Sequence, residues 1–411
     1  MNNTIGITLT DSDSKKISSY LWLLFAVCFL GNVLAGMAST LMSVYLPVVV
    51  KDLQGSVSGD GLGKMSAYIN ALYFAGWAMG GLMWGLISDR IGRAVALALA
   101  VSMYGLFTFL KSIAPSLELI FVFQFFCGFG VGGVLVVNTT LLSEVWPHAT
   151  RAVFIGLLST GFPIGVFSSG VVNFIISDWR QGFMIGAVPF LLGIILFWIL
   201  KESEKWKETR IHSNKEQVVL SDYKAPLVSG IIIFGSMLIG LWAIFSWLPT
   251  WVQSIVTNSD GQRERSLGMM LLGIGGLSGG FASGWVSNVL GMRKTMLICF
   301  AGCFIFSFVL FIGNTSFSVF TLIEIALLAF LFGISQGTLS VYIPLLFPVA
   351  IRATATGLCF NIGRIFTVVA VFFVGALVTT LGGYGRSLFL FSFVFLIGFI
   401  FIIIANRKPS I

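Results

Sequence analysis

Charge is what this sequence has least of. Its 411 residues include 24 Lys and Arg and 16 Asp and Glu, together 10% of the chain. A soluble protein of this length needs a polar surface that so few charges cannot supply, and that class is excluded. Histidine is nearly absent: only His148 and His212 occur, in polar stretches, with no second ligand at metal spacing. The five cysteines, Cys28, Cys127, Cys299, Cys303 and Cys359, all lie inside apolar runs. They read as small packing residues, not as a disulfide framework or a metal cluster. The first 19 residues are polar, so no signal peptide is expected to lead the chain.

Apolar residues are abundant, at 57% of the chain. They fall in runs of about 20, the length at which a helix crosses roughly 30 Å of hydrocarbon. Polar breaks delimit twelve spans, near 20–50, 66–88, 94–114, 117–142, 152–176, 182–200, 225–252, 267–288, 294–313, 317–343, 353–380 and 385–405. The expected fold is all-α and membrane-embedded. Its organisation is an N-terminal tail (1–19), a six-helix half (20–200), a central loop (201–224), a second half (225–405) and a C-terminal tail (406–411). With both termini cytoplasmic, inner loops and tails hold 16 of the 24 Lys and Arg, outer loops seven, and one is intramembrane. The positive-inside rule thus sets the expected topology, in a cytoplasmic (inner) membrane, and the net charge of +8 needs no nucleic acid to explain it.

The halves repeat. GLISDRIGR (85–93) has a counterpart 199 residues later in GWVSNVLGMRK (284–294), and EVWPHATRA (144–152) has one 201 residues later in LLFPVAIRA (345–353). Two matches at nearly one offset argue for duplication of a six-helix unit. At these residues the chain resembles the major facilitator superfamily. Gly85, Asp89, Arg90, Gly92 and Arg93 reproduce its G-x-x-x-D-R-x-G-R loop. The resemblance implies a cytoplasmic latch that favours the outward-facing state. Its aspartate would face a helix N-terminus, and its arginines would pair with carboxylates of neighbouring helices. Glu144 and Arg151 show the E-x6-R spacing of sugar porters and metabolite symporters, and Arg352 repeats the arginine in the second half. WRQGFMIGAVP (179–189), ESEKW (202–206), SWLPTW (246–251), FPVAIRATATG (347–357) and NIGR (361–364) are similar to segments of the metabolite–proton symporter and organic-ion transporter branches.

The chain also departs from that pattern. The D-G-F-D element of metabolite symporters, twelve residues before a span 1 proline, is here Ala35-Gly36-Met37-Ala38. Gln124 replaces the arginine of the span 4 motif, Asn288 the second latch aspartate, and Leu345 the second E-x6-R acid. The usual proton-coupling carboxylates are missing from the first half. If a proton is co-transported, Glu324 is the one acid clearly inside a span, with Glu118 at the mouth of span 4.

The intramembrane cation is Arg364. Counting from Ala353, it lies about 16 Å deep, near the midplane. An unpaired charge there costs about 2.5–3.5 kcal/mol even on the lenient insertion scale. Three roles compete: binding an anionic substrate, pairing with Glu324, or bonding backbone carbonyls as a structural residue. Organic-ion transporters carry a charge-selecting residue seven positions after a span 11 glycine, and Gly357 plus seven is Arg364. That resemblance implies a basic reader of anions, and a guanidinium can hold a carboxylate bidentately.

In this superfamily spans 1, 4, 7 and 10 line the cavity, which offers Asn32, Ser39 and Ser43, Gln124 and Asn138, Trp242, Trp247 and Trp251, and Gln336. Span 11 adds Asn361. Uncharged donors with aromatic walls suit a small polar organic ligand. The same residues admit plainer roles: the tryptophans as interfacial anchors, the serines as helix-packing residues, Gln124 as a bond to a neighbouring helix. The glycines of GFGVGG (128–133) and LLGIGGLSGG (271–280) suit close helix packing better than phosphate binding, since no soluble strand precedes them. The reading is a monomeric twelve-helix carrier that imports a small organic anion by alternating access. It would need no cofactor, metal or nucleic acid, and sialic acid or another metabolite carboxylate would suit it. Its rivals are a neutral sugar or polyol porter with Arg364 structural, and a non-transporting membrane sensor. An enzyme is the least suited, since the spans hold no nucleophile–base pair.

Overall fold

The computed structural model describes residues 18–55, 59–147, 149–203, 206, 223–257, 260–348 and 351–404. Residues 1–17 of the expected N-terminal tail, the expected C-terminal tail, His148, and most of the central loop with His212 lie outside the described residues. Among the described residues the chain is helix and connection, without a strand.

Among the described residues, twelve helices are long and apolar enough to cross a membrane. They are α1 Ser19–Gln54, α2 Gly59–Ile91, α3 Arg93–Lys111, α4 Leu117–Val145, α5 Arg151–Ile175 and α6 Trp179–Ile199 in the first half. The second half holds α7 Lys224–Ile255, α8 Gln262–Leu290, α9 Met292–Gly313, α10 Val319–Leu345, α11 Arg352–Ala376 and α12 Tyr384–Ile404. Two starts differ from the hydropathy reading: α2 begins at Gly59 and α8 at Gln262. Their first turns, with Lys64 in one and QRERS in the other, are too polar to signal hydrocarbon, yet they are regular helix.

Both halves follow one packing plan. In the first, α1 packs on α5, α2 on α4, and α3 on α4 and α6; in the second, α7 packs on α11, α8 on α10, and α9 on α10 and α12. Glycine makes the tightest of these contacts possible. A Cβ on Gly80 would stand 2.1 Å from the Phe129 carbonyl oxygen, and one on Gly279 would stand 2.0 Å from that of Phe330. These two contacts are related by the offsets read in the sequence, and they give the glycine runs the packing role expected of them. The helix boundaries repeat too. Gly92 (φ 105°) opens α3 and Gly291 (φ 80°) opens α9, both in the left-handed region that favours glycine. Arg151 donates to the Trp146 carbonyl, and Arg352 donates to that of Phe347.

The two halves meet along α5–α8, α2–α11 and α1–α7. Call the end carrying the α2–α3 and α8–α9 connections the basic face. At the opposite face α5 and α8 are bonded: Ser266 Oγ donates to Asn173 Oδ1 at 2.8 Å, and Gln262 Nε2 donates to the Asn173 carbonyl at 2.6 Å. Moving toward the basic face, the seam widens. A Cβ on Gly273 would meet Phe167 at 2.5 Å, one on Gly276 would meet Pro163 at 4.0 Å, and ones on Gly280 and Gly284 would meet nothing within 4 Å. The α2–α11 seam behaves alike. Gly63 backs onto the Gly375 carbonyl at 2.9 Å, Gly81 onto Arg364 at 3.2 Å, while Gly85 and Gly357 face open space. The halves form a wedge, closed at the opposite face and parted at the basic one.

Candidate substrate site

Where the wedge begins to part, one charge stands between the halves. Arg364 is twelve residues into α11, about 18 Å from its basic end. Its Nη1 donates to Asn361 Oδ1 at 3.0 Å, one turn back on the same face, and Asn361 Nδ2 donates to the Gly357 carbonyl at 2.9 Å. The guanidinium carbon lies 5.9 Å from the centroid of the Trp77 ring on α2, within cation–π range. Gly81, one turn from Trp77, has no side chain, and that lets α2 approach. A Cβ there would press on both Arg364 Nη1 (3.2 Å) and Asn361 Oδ1 (3.3 Å). Arg364 is partly accessible, and among the described residues no carboxylate comes within ion-pair distance of it.

Aromatic rings wall this point on the other sides. Trp77 meets Trp242 of α7 edge-on, with centroids 4.8 Å apart, and stacks with Phe162 of α5 at 6.0 Å. Phe74 meets the same Trp242 at 5.3 Å. Tyr73 donates to Ser39 Oγ at 2.6 Å, which brings a span 1 hydroxyl to the edge of the cluster. The arrangement combines one cation without a carboxylate partner among the described residues, one carboxamide and several π faces between the two halves. It suits a small ligand with an anionic end and a flat or apolar body.

Of the other residues expected at the site, Asn32, Asn138 and Trp247 hold helices together. Asn32 and Asn138 bond each other (2.9 Å), and Asn32 also donates to the Leu158 carbonyl and Asn138 to that of Cys28, tying α1, α4 and α5 inside the first half. Trp247 is fully buried: its Nε1 donates to the Val371 carbonyl at 2.9 Å and its ring lies 5.7 Å from that of Tyr384. It is a strut between α7, α11 and α12, out of a ligand's reach. Gln124 is buried with Oε1 unpartnered, on the α4 face whose Gly128 backs onto the Tyr73 carbonyl. Gln336 is half-buried, and its Nε2 has no partner.

Glu324 does not pair with Arg364. Its Oε2 accepts from Asn314 Nδ2 at 2.6 Å, near the opposite face, because α10 starts there only five residues earlier. Glu118 is exposed in the first turn of α4.

At the basic face Arg93 is the hub of the loop motif. It pairs with Asp89 (2.6 Å) and with Glu144 of α4 (3.2 Å), and it donates to Ser88 Oγ. The carboxylate at the α3 N-terminus is Glu202, not Asp89. Glu202 accepts from the Arg93 backbone N–H at 2.8 Å and from that of Ala94 at 3.2 Å. Gly92 makes room for it, since a Cβ there would clash with Glu202 at 2.2 Å. Trp206 donates to the Asp89 carbonyl. Arg90 is exposed, and Arg151 and Arg352 cap carbonyls as described. None of these contacts joins the first six-helix half to the second.

Sequence reasoning missed Trp77, Gly81 and Glu202. An aromatic inside an apolar run carries no signal by type. The available clue was the Trp77–Gly81 spacing, which puts a ring and a gap on one helix face.

The comparisons agree with this architecture. The sequence profile of the Major Facilitator Superfamily matches residues 28–367. The cis,cis-muconate transport protein of Acinetobacter baylyi is 24% identical over 378 residues, covering 88% of this chain and 89% of its own. The sialic acid transporter NanX of Escherichia coli is 29% identical over 343 residues, covering 80% and 81%. The inward open structure of the xylose transporter XylE from E. coli superposes with a TM-score of 0.78 at 16% identity, over 95% of this chain and 98% of that one. With twelve membrane-length helices in two repeating halves and a profile match across most of its length, the chain belongs to the Major Facilitator Superfamily.

Proposed function

We propose that this protein carries a small organic anion across a bacterial inner membrane by alternating access, and that Arg364 reads the anion's charge. The observation that carries this reading is a partly exposed arginine, midway along its helix where the two halves meet, whose guanidinium has no carboxylate partner among the described residues. A cation so placed is stable only with water, a partner or a ligand around it. A carboxylate arriving from the parted side would complete its bidentate hydrogen bonding. The two relatives support the class, since both are named for acids, one a dicarboxylate and one a sugar acid.

With the basic face cytoplasmic, as the distribution of Lys and Arg supports, the described conformation opens inward and the Asn173–Ser266 seam closes the outside. Import then requires the α5–α8 and α2–α11 seams to rock about the layer of Trp77, Trp242 and Arg364.

The test is a thermal-shift screen of the purified protein with cis,cis-muconate and sialic acid against xylose, repeated on Arg364→Gln. A ligand that binds only the folded protein raises its Tm. Stabilisation by an acid that disappears in the variant is expected. Stabilisation by xylose that survives the variant would replace this reading with a neutral-sugar carrier.

A further inference from the structure

We propose that the carrier works by exchange: one organic anion leaves as another enters, and the empty protein rarely reorients. The inference rests on the reading of Arg364 as the anion site.

The described acids lie near helix ends or in connections. Asp52, Asp178, Asp260, Glu118, Glu264 and Glu324 stand at the opposite face, and Asp89, Glu144 and Glu202 at the basic face. Asp60 is in the first turn of α2. No ion pair joins a described acid to Arg364. The groups that face the guanidinium there are the Asn361 carboxamide, the Trp77 ring and the bare Gly81 backbone. Nearby titratable groups on the packed elements are the Tyr73 phenol of α2, bonded to Ser39, and the Cys359 thiol of α11, turned toward the Leu227 carbonyl of α7. Neither supplies a negative charge in its ordinary neutral form.

In the described state Arg364 is only partly exposed, and among the described residues its guanidinium has no carboxylate partner. To reorient, the halves must close over it and enclose the guanidinium among Trp77, Trp242, Phe74 and Phe162. Without a counter-charge, that step withdraws an ion from water uncompensated. With a carboxylate bound, the enclosed pair is neutral. A symporter returns empty because an acid at the site can pair with its own cation, and no described acid pairs with Arg364. The return leg therefore needs a second anion. One anion crosses each way, so exchange of two anions of equal charge moves no net charge.

Two measurements test this. In proteoliposomes of the full chain, radiolabelled cis,cis-muconate and sialic acid serve as probes, with vesicles either empty or loaded with the same unlabelled acid. Uptake into loaded vesicles is expected to be about tenfold faster or more, with no accumulation in empty vesicles under an inward proton gradient. Proton-driven accumulation in empty vesicles at the rate of loaded ones would overturn the proposal.

The second measurement needs no substrate. Spin labels at Ser177→Cys and Ser316→Cys, exposed loop positions of the two halves at the opposite face, report its opening by pulsed EPR. After a temperature jump, freeze-quenched samples of the empty Arg364→Gln protein should reach their new distance distribution several-fold faster than the unmodified protein, whereas Arg364→Lys, which keeps the charge, should relax as slowly. No change in Arg364→Gln would sink the exchange mechanism even if acids bind. Faster relaxation of Arg364→Gln in a protein that transports neither probe would support the held empty state and count against the choice of acids alone.

Discussion

At the scale of single residues, the proposed function turns on what stands within a few ångströms of one guanidinium. Gly81 is the most informative neighbour. Gly81→Ala would place a methyl 3.2 Å from Arg364 Nη1 and 3.3 Å from Asn361 Oδ1, so the guanidinium must yield. Affinity for the acid should fall about tenfold while the Tm of the free protein stays nearly constant, as isothermal titration and a melting curve would check. Trp247→Phe should behave in the opposite way. It removes the bond to the Val371 carbonyl, costs about 1 kcal/mol of stability, and leaves ligand affinity untouched. The sequence made Arg364 conspicuous because a cation inside an apolar run has a cost that demands a reason. It could not separate Trp247 from Trp77, because indoles in struts and indoles in sites share one composition. Nor could it show that Asn32 and Asn138 bond each other, since both spacings fit a cavity face equally well. Glu202 was hidden by distance along the chain, 109 residues from the Arg93 amide it caps.

At the scale of helices, the seams decide which way the molecule opens. Asn173 holds α5 to α8 with two bonds, accepting from Ser266 and Gln262. Replacing it with Ala removes the side-chain bond and leaves Ser266 to its intrahelical partner, the Gln262 carbonyl. A bond of this kind contributes about 1 kcal/mol, so the outward-open fraction should rise by roughly fivefold. The same pair of spin labels would measure it, and an unchanged distance distribution would mean that the glycine contacts alone hold the seam. Most helices were legible as apolar runs, and their errors have one cause. Hydropathy finds where a helix enters hydrocarbon, not where it starts, so α2 and α8 lost their polar first turns. Which helices touch was not legible at all: the α2–α11 contact depends on Gly81, and a glycine in a membrane span marks close approach without naming the partner.

At the scale of the whole molecule, duplication left two halves alike in backbone and unlike in charge. Gly80 and Gly279 make equivalent contacts, and Arg151 and Arg352 make equivalent caps. Yet the first half braces its basic end with Arg93, Asp89 and Glu144, whereas the second has a neutral Ser287–Thr338 contact at 2.9 Å. Glu144→Gln should therefore slow transport by about tenfold with substrate affinity retained, since it loosens one half far from the site. Equal losses in affinity and turnover would assign Glu144 to the site instead. The repeat and the asymmetry were both visible in the residues, because Asn288 and Leu345 stand where the pattern has acids. The wedge was not, since an outline of spans is the same whichever end is parted. That wedge has a practical corollary. Gly85 and Gly357 face the gap from opposite sides with nothing near them. A bulky pair placed there would act as a doorstop, and a protein so propped would present one rigid surface at its basic end. Antibody fragments selected against that surface would sense conformation from one side of the membrane only, and could serve as reporters of the transport cycle in cells.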